Sequence, residues 1–294
     1  MKIGFFAVGI GNMARPDLIT AAATNAERLN FSTIWAPEHA ALFDQYSSHY
    51  PYTAGDLPIQ TDVMLLDPFL ALTHAAALTK RIRLATGICL VPERSPLFLA
   101  KESATLDYLS GGRFALGIGI GWLREEFQAL GIPWEKRAKR TREYVEAMRS
   151  LWGEERSSYS GEFVQFKGAR SYPKPAQGAK LPILVGGDSE AALKRAAAYG
   201  NGWCGFHANP ADSADKIKRL KAMLKNAGRG AEKFEFLVSP AENAKPDDLK
   251  GYRDAGVDEV YLAPVFENPP ETPAALVKQL EDIARQWVEP AAKM

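Results

Sequence analysis

Eight short apolar segments alternate with eight longer helix-like segments along this chain of 294 residues. The short segments are apolar throughout rather than alternately apolar and polar, which is typical of parallel strands covered by helices on both faces. The predicted strands span residues 2–8, 32–38, 82–90, 113–121, 181–187, 202–206, 234–240 and 259–265. The predicted helices span residues 17–29, 67–79, 97–109, 135–152, 190–199, 212–226, 246–255 and 273–286.

This strict alternation predicts an α/β architecture. Eight units in a chain of this length favour a closed (β/α)8 TIM barrel, with residues 1–294 forming a single domain. A doubly wound open sheet is the alternative, although it usually has fewer strands. In a barrel, the active site is expected at the carboxyl ends of the strands.

Two insertions are too long to be simple connectors. Residues 42–66 follow the second predicted strand and are rich in aromatic residues, Pro and Gly. Residues 154–180 precede the fifth predicted strand and resemble a hairpin followed by a Pro-rich crossing. Long loops on a rigid scaffold usually cover a site, so the first insertion is a candidate lid. A dimer contact or a plain surface loop is the alternative.

Composition argues against several classes of function. The chain has 36 Lys and Arg against 35 Asp and Glu, and this net charge of +1 provides no broad basic surface for nucleic acid. No run of apolar residues is long enough to predict a membrane span. Cys89 and Cys204 lie far apart within apolar runs, which favours a reduced, cytoplasmic protein. The four histidines lack the spacing of a metal site.

The ends of the second and third predicted strands carry candidate site residues. Glu38 and His39 close the second strand, where a histidine can exchange a proton with a bound ring system; a hydrogen bond to a loop carbonyl is the alternative role for His39. Gly87 interrupts the third strand between Thr86 and Ile88. A glycine there indicates a bulge close to a ligand or, alternatively, tight packing.

The fourth predicted strand ends in GIGIGW, residues 117–122. Its spacing is G-x-G-x-G, which differs from the dinucleotide-binding pattern G-x-G-x-x-G. Gly119 and Gly121 would instead let a flat ring approach the barrel mouth, with Trp122 and Glu126 lining it. Core packing and an ordinary carboxylate on a helix surface are the alternatives for Trp122 and Glu126.

The fifth predicted strand ends in Gly186-Gly187, and Asp188 and Ser189 are candidate N-caps of the next helix. Free amides at a helix start favour a phosphate, and a further glycine turn precedes Trp203. Simple capping is the alternative. The basic run at residues 135–144 is expected to be a solvated helix surface from which Arg137 or Arg140 could reach a ligand.

Two segments in combination resemble the bacterial luciferase-like monooxygenase superfamily, in particular its F420-dependent oxidoreductase-type branch. The first spans residues 84–152 and includes AKESATLDYLSGGR and GIGIGW; the second spans residues 174–203 and includes VGG and GNGW. The resemblance covers most of the chain through Trp203 and is only architectural beyond it.

The resemblance implies a barrel that binds reduced F420, with FMN as the alternative, at its carboxyl-end mouth. It implies catalytic roles for Glu38, His39 and Trp122, and a non-proline cis peptide at Gly87-Ile88. Some F420-dependent dehydrogenases have a glutamate where this chain has Trp122, which argues against sugar-phosphate or alcohol dehydrogenase chemistry. The expected cofactor-binding residues are Thr86, Gly87, Ile88, Gly119, Gly121, Gly186, Gly187, Ser189 and Trp203.

The partners expected from this reading are a small-molecule substrate, a second copy of the chain in a homodimer, and a separate flavin or F420 reductase; neither nucleic acid nor a membrane is expected. One alternative is a non-catalytic flavin-binding barrel. Another is a phosphate-binding barrel such as an aldolase, which would need a lysine at the end of a strand, and no predicted strand ends in lysine.

Overall fold

The computed structural model describes residues 1–52, 57, 59–264 and 268–294, and its strands and helices alternate as the sequence predicts. The strands are β1 (Lys2–Phe6), β2 (Thr33–Ala36), β3 (Arg83–Thr86), β4 (Cys89–Leu90), β5 (Phe114–Gly119), β6 (Ser157–Ser160), β7 (Gln165–Ala169), β8 (Ile183–Gly186), β9 (Gly202–Ala208), β10 (Glu235–Pro240) and β11 (Glu259–Leu262). The helices are α1 (Pro16–Arg28), α2 (Pro68–Leu78), α3 (Pro96–Ser110), α4 (Arg124–Ala129), α5 (Arg137–Gly153), α6 (Glu190–Tyr199), α7 (Pro210–Asn226), α8 (Leu249–Ala255), α9 (Pro273–Ile283) and α10 (Glu289–Ala292).

The main sheet is a closed parallel barrel. Its strands run in the order β3-β2-β1-β11-β10-β9-β8-β5, and an additional β3–β5 pairing closes the ring. Leu84 on β3 lies opposite Phe114 on β5 at this closure. The short strand β4 follows the interruption after β3 and also pairs with β5. The prediction of a (β/α)8 barrel is therefore confirmed, and the open-sheet alternative is wrong.

Both insertions lie where the sequence places them. Strands β6 and β7 pair antiparallel before β8, which confirms the predicted hairpin. Residues 53–56 and 58 of the first insertion, and residue 265 at the end of the eighth predicted strand, lie outside the described residues. The sequence reasoning did not anticipate α4, which directly follows the glycine-rich end of β5. None of the described helices combines the length and apolarity needed to cross a bilayer.

Local sequence signals explain where the helices begin. A proline stands in the first turn of α1, α2, α3, α7 and α9, where its missing N–H costs no hydrogen bond. Four helices also have a side chain that accepts a hydrogen bond from the first-turn backbone. These N-caps are Asp67, Ser189, Asn209 and Thr272.

Polar side chains close the amino end of the barrel. Arg83, at the start of β3, makes two hydrogen bonds of 2.7 and 3.0 Å to Glu235, at the start of β10. The buried carboxylate of Glu259 accepts from Thr33 Oγ1 at 2.8 Å and from Trp35 Nε1 at 3.0 Å. A pocket of about 300 Å³ lies at this end beside Arg83, whereas the much larger cavity lies at the carboxyl end.

Candidate active site

A cavity of about 1680 Å³ opens at the carboxyl ends of the strands. Its walls come from the segments that follow every barrel strand, which is where barrel enzymes bind their ligands. Most of the residues identified from the sequence line this cavity. They are Glu38, His39, Gly87, Ile88, Gly119, Gly121, Trp122, Gly186, Gly187 and Ser189.

Three glutamates surround His39 at one side of the mouth. We call this group the acidic end; it consists of Glu38, His39, Glu93 and Glu126. The Nδ1 atom of His39 lies 2.8 Å from Oε2 of Glu126, a residue of α4 that is only 1% exposed. The ring edge of His39 also contacts Trp122, with ring centroids 5.9 Å apart. The imidazole is therefore fixed by a carboxylate on one side and an indole on another.

The sequence suggested that Glu126 lines the mouth. In the structure Glu126 lies behind His39 instead. Its Oε1 atom accepts hydrogen bonds from the backbone N–H groups of Ala40 at 2.5 Å and Ala41 at 3.2 Å. The side chain thus holds both the His39 ring and the two residues that directly precede the first insertion. Sequence reasoning could not pair the two residues, because 87 positions separate them.

Glu38 is engaged away from His39. Its carboxylate accepts from the backbone N–H of Leu90 at 2.5 Å and from Nε of Arg94 at 2.6 Å. Arg94 also pairs with Asp67 at 2.5 Å and with Glu102 at 3.0 Å. These contacts give Glu38 a supporting role under the loop after β3, and its predicted catalytic role stays a prediction.

Glu93 is the least satisfied group at the acidic end. Burial, together with the nearby carboxylates of Glu126 and Glu38, raises the pKa of Glu93 to about 9. Its buried Oε1 atom has no hydrogen-bond partner among the described residues. Glu93 is therefore expected to be a neutral carboxylic acid at pH 7.

The bulge between β3 and β4 provides an apolar surface at the floor of the cavity. The peptide bond between Gly87 and Ile88 is cis, as the resemblance implied. A Cβ atom added to Gly119 would lie 2.5 Å from Cδ1 of Ile88, and one added to Gly186 would lie 2.7 Å from the same atom. These two glycines therefore make room for the Ile88 side chain, and Ile88 in turn lines the cavity.

Thr86 and Trp203, expected to bind the cofactor, do not line the cavity. The hydroxyl of Thr86 donates to the carbonyl oxygen of Gly117 at 2.7 Å. Trp203 is fully buried, and its Nε1 donates to the carbonyl oxygen of Gly187 at 2.8 Å. A strand residue presents its side chain to one face of the sheet only. The side chains of Thr86 and Trp203 therefore bond backbone carbonyls next to the site and do not reach the cavity.

The opposite side of the mouth, which we call the basic end, consists of Gly187, Ser189, Arg137 and Arg195. Gly187 has φ of +112°, a conformation that favours glycine. The hydroxyl of Ser189 accepts from the backbone N–H of Ala192 at 3.2 Å, which confirms Ser189 as the N-cap of α6. The first amides of a helix are free to bind an anion.

The two arginines of the basic end lack a carboxylate. Neither Arg137 nor Arg195 forms an ion pair with a described residue, and the buried Nε atom of each has no hydrogen-bond partner there. Burial lowers the pKa of both guanidiniums, and Arg195 lowers the pKa of Arg137 further. Arg140, the other candidate from the sequence, instead donates to the carbonyl oxygen of Pro133 at 2.7 Å.

Residues 47–52 of the first insertion line the mouth of the cavity. The Tyr50 and Trp122 rings lie 5.1 Å apart, and the Tyr52 and Phe206 rings lie 4.8 Å apart. Glu125 anchors the preceding residues by accepting from the Ser47 N–H at 2.7 Å and from the Ser48 hydroxyl at 2.6 Å. This aromatic cover fits the predicted lid, whose function stays a prediction.

Sequence reasoning missed Arg195, Tyr50 and Tyr52 as cavity residues. Arg195 carried a usable signal, because it follows the Ser189 N-cap by six positions and lies within the same helix. The two tyrosines carried only the general aromatic character of the insertion. Their positions depend on contacts with Trp122, which follows β5, and with Phe206 on β9. Both residues lie more than 60 positions further along the chain.

Comparisons with known proteins agree with this architecture. The family model described as luciferase-like monooxygenase matches residues 1–292. An uncharacterized protein of Mycobacterium tuberculosis is 37% identical over 263 residues, which cover 88% of this chain and 91% of that protein. The 5,10-methylenetetrahydromethanopterin reductase of Archaeoglobus fulgidus is 32% identical over 199 residues, 68% of this chain and 58% of that protein.

A solved structure shows the same fold at lower sequence identity. The coenzyme F420-dependent tetrahydromethanopterin reductase of Methanopyrus kandleri superposes with a TM-score of 0.76 at 19% identity, over 98% of each chain. The family match spans nearly the whole chain, and the barrel and its mouth agree with it. This chain therefore belongs to the luciferase-like monooxygenase family.

Proposed function

We propose that this protein is an oxidoreductase that uses reduced F420, with FMN as the alternative, to transfer a hydride to a small organic substrate or to monooxygenate it. The observation that carries the proposal is the basic end. Two partly buried guanidiniums without carboxylate partners lie beside the start of α6, on the rim of an apolar cavity. The Arg137 guanidinium stacks on the Trp134 ring at 3.6 Å from its centroid, but neither arginine has a carboxylate partner among the described residues, so this donor set suits an anionic ligand.

The residues present suit a phosphorylated ring compound. Arg137, Arg195 and the amides after Gly187 would hold the phosphate, and the ring would lie against Gly87 and Ile88. When bound, the reduced ring supplies a hydride to the substrate or reacts with O2. The chain itself would position the substrate, exclude water and move a proton at His39.

Two observations favour F420 over FMN. F420 carries an acidic tail in addition to its phosphate, whereas FMN carries a phosphate alone. The basic end has two guanidiniums, which matches the larger number of anionic groups in F420. The sequence resembles the F420-dependent branch of the family, and the Methanopyrus kandleri reductase with a similar fold is F420-dependent. FMN, used in a two-component monooxygenase with a separate reductase, is the alternative.

Titration of the purified protein with each cofactor under anaerobic conditions tests the proposal. We expect the fluorescence of F420 to change saturably as protein is added. A panel of unsaturated acceptors should then oxidise bound reduced F420 by hydride transfer, whereas O2 should oxidise bound reduced FMN. Binding of reduced FMN without affinity for F420 would overturn the preference for F420. Binding without turnover with any acceptor would instead support the non-catalytic flavin-binding barrel.

The proposal also includes a homodimer in the cytoplasm. Large apolar side chains on the outer faces of α2 and α3 are well exposed, with Leu70 at 74%, Phe98 at 71% and Leu109 at 62%. A second copy of the chain could bury such a surface in a twofold contact. Light scattering should report twice the 32.2 kDa mass of the chain, and a monomer would contradict this part of the proposal. Cys89 and Cys204 are free and buried, which suits a reducing compartment.

A further inference from the structure

We propose that Glu126 is a positioning residue that holds His39 in its Nδ1–H tautomer, so that Nε2 is left as the proton acceptor of the ring. The use of that acceptor rests on the proposed function, but the tautomer itself does not. The donors around the Glu126 carboxylate determine which of its oxygens must accept a hydrogen bond. Two backbone N–H groups, from Ala40 and Ala41, donate to Oε1 at 2.5 and 3.2 Å. Backbone amides can only donate, so Oε1 must be an acceptor.

The second oxygen of Glu126 fixes the state of the imidazole. Oε2 lies 2.8 Å from Nδ1 of His39, and an ionised carboxylate can only accept. The hydrogen atom of a neutral His39 ring therefore belongs on Nδ1, because the hydrogen bond at one ring nitrogen determines the tautomer. No described residue hydrogen-bonds Nε2, and the ring lies on the cavity wall.

Other charged groups near the ring do not take over this role. Glu38 is bound by Leu90 and Arg94, and the cation of Arg94 is shared with Asp67 and Glu102. Glu93 lies close enough to Glu126 for their charges to interact, but it forms no hydrogen bond or ion pair with His39. Of the described residues, Glu126 is the one whose carboxylate reaches the ring.

The neighbouring Glu125 provides a matched control. Glu125 and Glu126 are adjacent in α4, and both fasten the first insertion to this helix. Glu125 holds Ser47 and Ser48, whereas Glu126 holds Ala40 and Ala41 and, in addition, His39. A change of tautomer that follows only the Glu126 substitution would separate positioning of the ring from loss of the loop anchor.

The Glu126→Gln substitution makes a directional prediction. The N–H groups of Ala40 and Ala41 still require an oxygen, so the amide oxygen of the glutamine should face them. The amide NH2 group then faces Nδ1 and donates to it, which should move the His39 hydrogen to Nε2. Reversal of the tautomer is a stronger signature than loss of a contact, because a merely loosened ring would show a mixture.

Nitrogen-15 NMR of protein labelled at histidine measures this without any cofactor or substrate. His39→Asn identifies the His39 signals, and His74 and His207 report that the fold is retained. At a pH where the His39 shifts show a neutral ring, we expect Nδ1–H in the wild type and in Glu125→Gln, and Nε2–H in Glu126→Gln.

Several outcomes would overturn the inference. They are a wild-type ring in the Nε2–H form, a ring that stays doubly protonated over the range in which the protein is folded, and an unchanged tautomer in Glu126→Gln. If Glu126→Gln fails to fold, the wild-type tautomer alone decides. Because apo protein is used, failure of the cofactor proposal would leave this result intact.

Discussion

The two ends of the cavity mouth satisfy their charged groups in opposite ways. At the acidic end, both carboxylate oxygens of Glu38 and of Glu126 have hydrogen-bond partners in the same chain, whereas Oε1 of Glu93 has none among the described residues. At the basic end, Arg137 and Arg195 have buried Nε atoms without partners among the described residues. The two carboxylates that contact His39 and Arg94 are therefore satisfied without a ligand, and the two guanidiniums are not.

This difference indicates what each end is for. Satisfied polar groups hold side chains in one geometry, which suits the positioning of an imidazole for proton transfer. A buried donor without a partner costs free energy that a ligand can recover, which suits binding. We therefore expect substitutions at the basic end to weaken ligand affinity, and substitutions at the acidic end to alter stability and the state of His39.

The largest effect should come from Arg195→Ala. Loss of a charge-assisted hydrogen bond to a phosphate typically costs about 2–3 kcal/mol, so the affinity for F420 or FMN should fall by roughly 100-fold. Thermal stability should not fall in parallel, because the folded protein gives this guanidinium no ion pair among the described residues. Titration calorimetry and a thermal melt measure the two effects.

Lys194→Ala is the control for that experiment. Lys194 is the preceding residue of α6, is exposed, and lies 3.7 Å from Glu190. It should leave cofactor affinity unchanged. Equal losses in the two variants would mean that general positive charge, and not the basic end, attracts the ligand.

A smaller effect, on stability, is expected from Glu93→Gln at the acidic end. The pKa of Glu93 rises from 4.5 to about 9 on folding, so the unfolded chain releases a proton that the folded protein retains. The wild type therefore loses stability as the pH rises from 4.5 towards 9. Allowing for partial solvent screening, Glu93→Gln should be about 2 kcal/mol more stable than wild type at pH 8, with little gain near pH 5.

Urea denaturation at the two pH values measures this difference. Glu125→Gln is the control of opposite sign: burial raises the pKa of Glu125, but hydrogen bonds from Ser48 and Ser47 together outweigh it and lower the pKa to about 2. That variant should lose stability at neutral pH. A Glu93→Gln variant that gains nothing at pH 8 would show that the Glu93 carboxyl is ionised or solvated in the folded protein.

The smallest effect is expected from Ser189→Ala. Removal of an N-cap side chain costs about 1 kcal/mol of stability. Thr272→Ala at the start of α9 should cost a similar amount, because its hydroxyl also accepts from a first-turn amide at 3.2 Å. Only the Ser189 variant should also bind the phosphorylated cofactor more weakly. If both caps affect binding equally, the start of α6 has no special part in the site.

The fold could be predicted from the sequence because its signal is local. Uniformly apolar strands, prolines at helix starts and glycine-rich strand ends each lie within a few residues of the feature they specify. The basic end was partly predictable for the same reason, since Gly187 and Ser189 are consecutive with the strand and helix that they join.

The acidic end was less predictable because its contacts are distant in sequence. Glu38 is adjacent to His39, and the family resemblance implied catalytic roles for both, yet Glu38 bonds Arg94 across 56 positions and His39 bonds Glu126 across 87. Gly119 makes room for the Ile88 side chain, a contact the sequence did not predict, and its predicted approach to a flat ring stays a prediction. Such contacts form only when the barrel closes. They therefore produce no periodic pattern in the sequence from which they could be predicted.

The central claim is that the basic end binds the phosphate of a flavin or deazaflavin. Its most direct test compares the dissociation constants of FMN and riboflavin, and of F420 and its chromophore without the phosphate-bearing tail. We predict that at least one phosphorylated cofactor binds 10-fold or more tightly than its phosphate-free counterpart, on the order of 1.4 kcal/mol. Equal affinity within each pair, or no binding of either cofactor, would contradict the account.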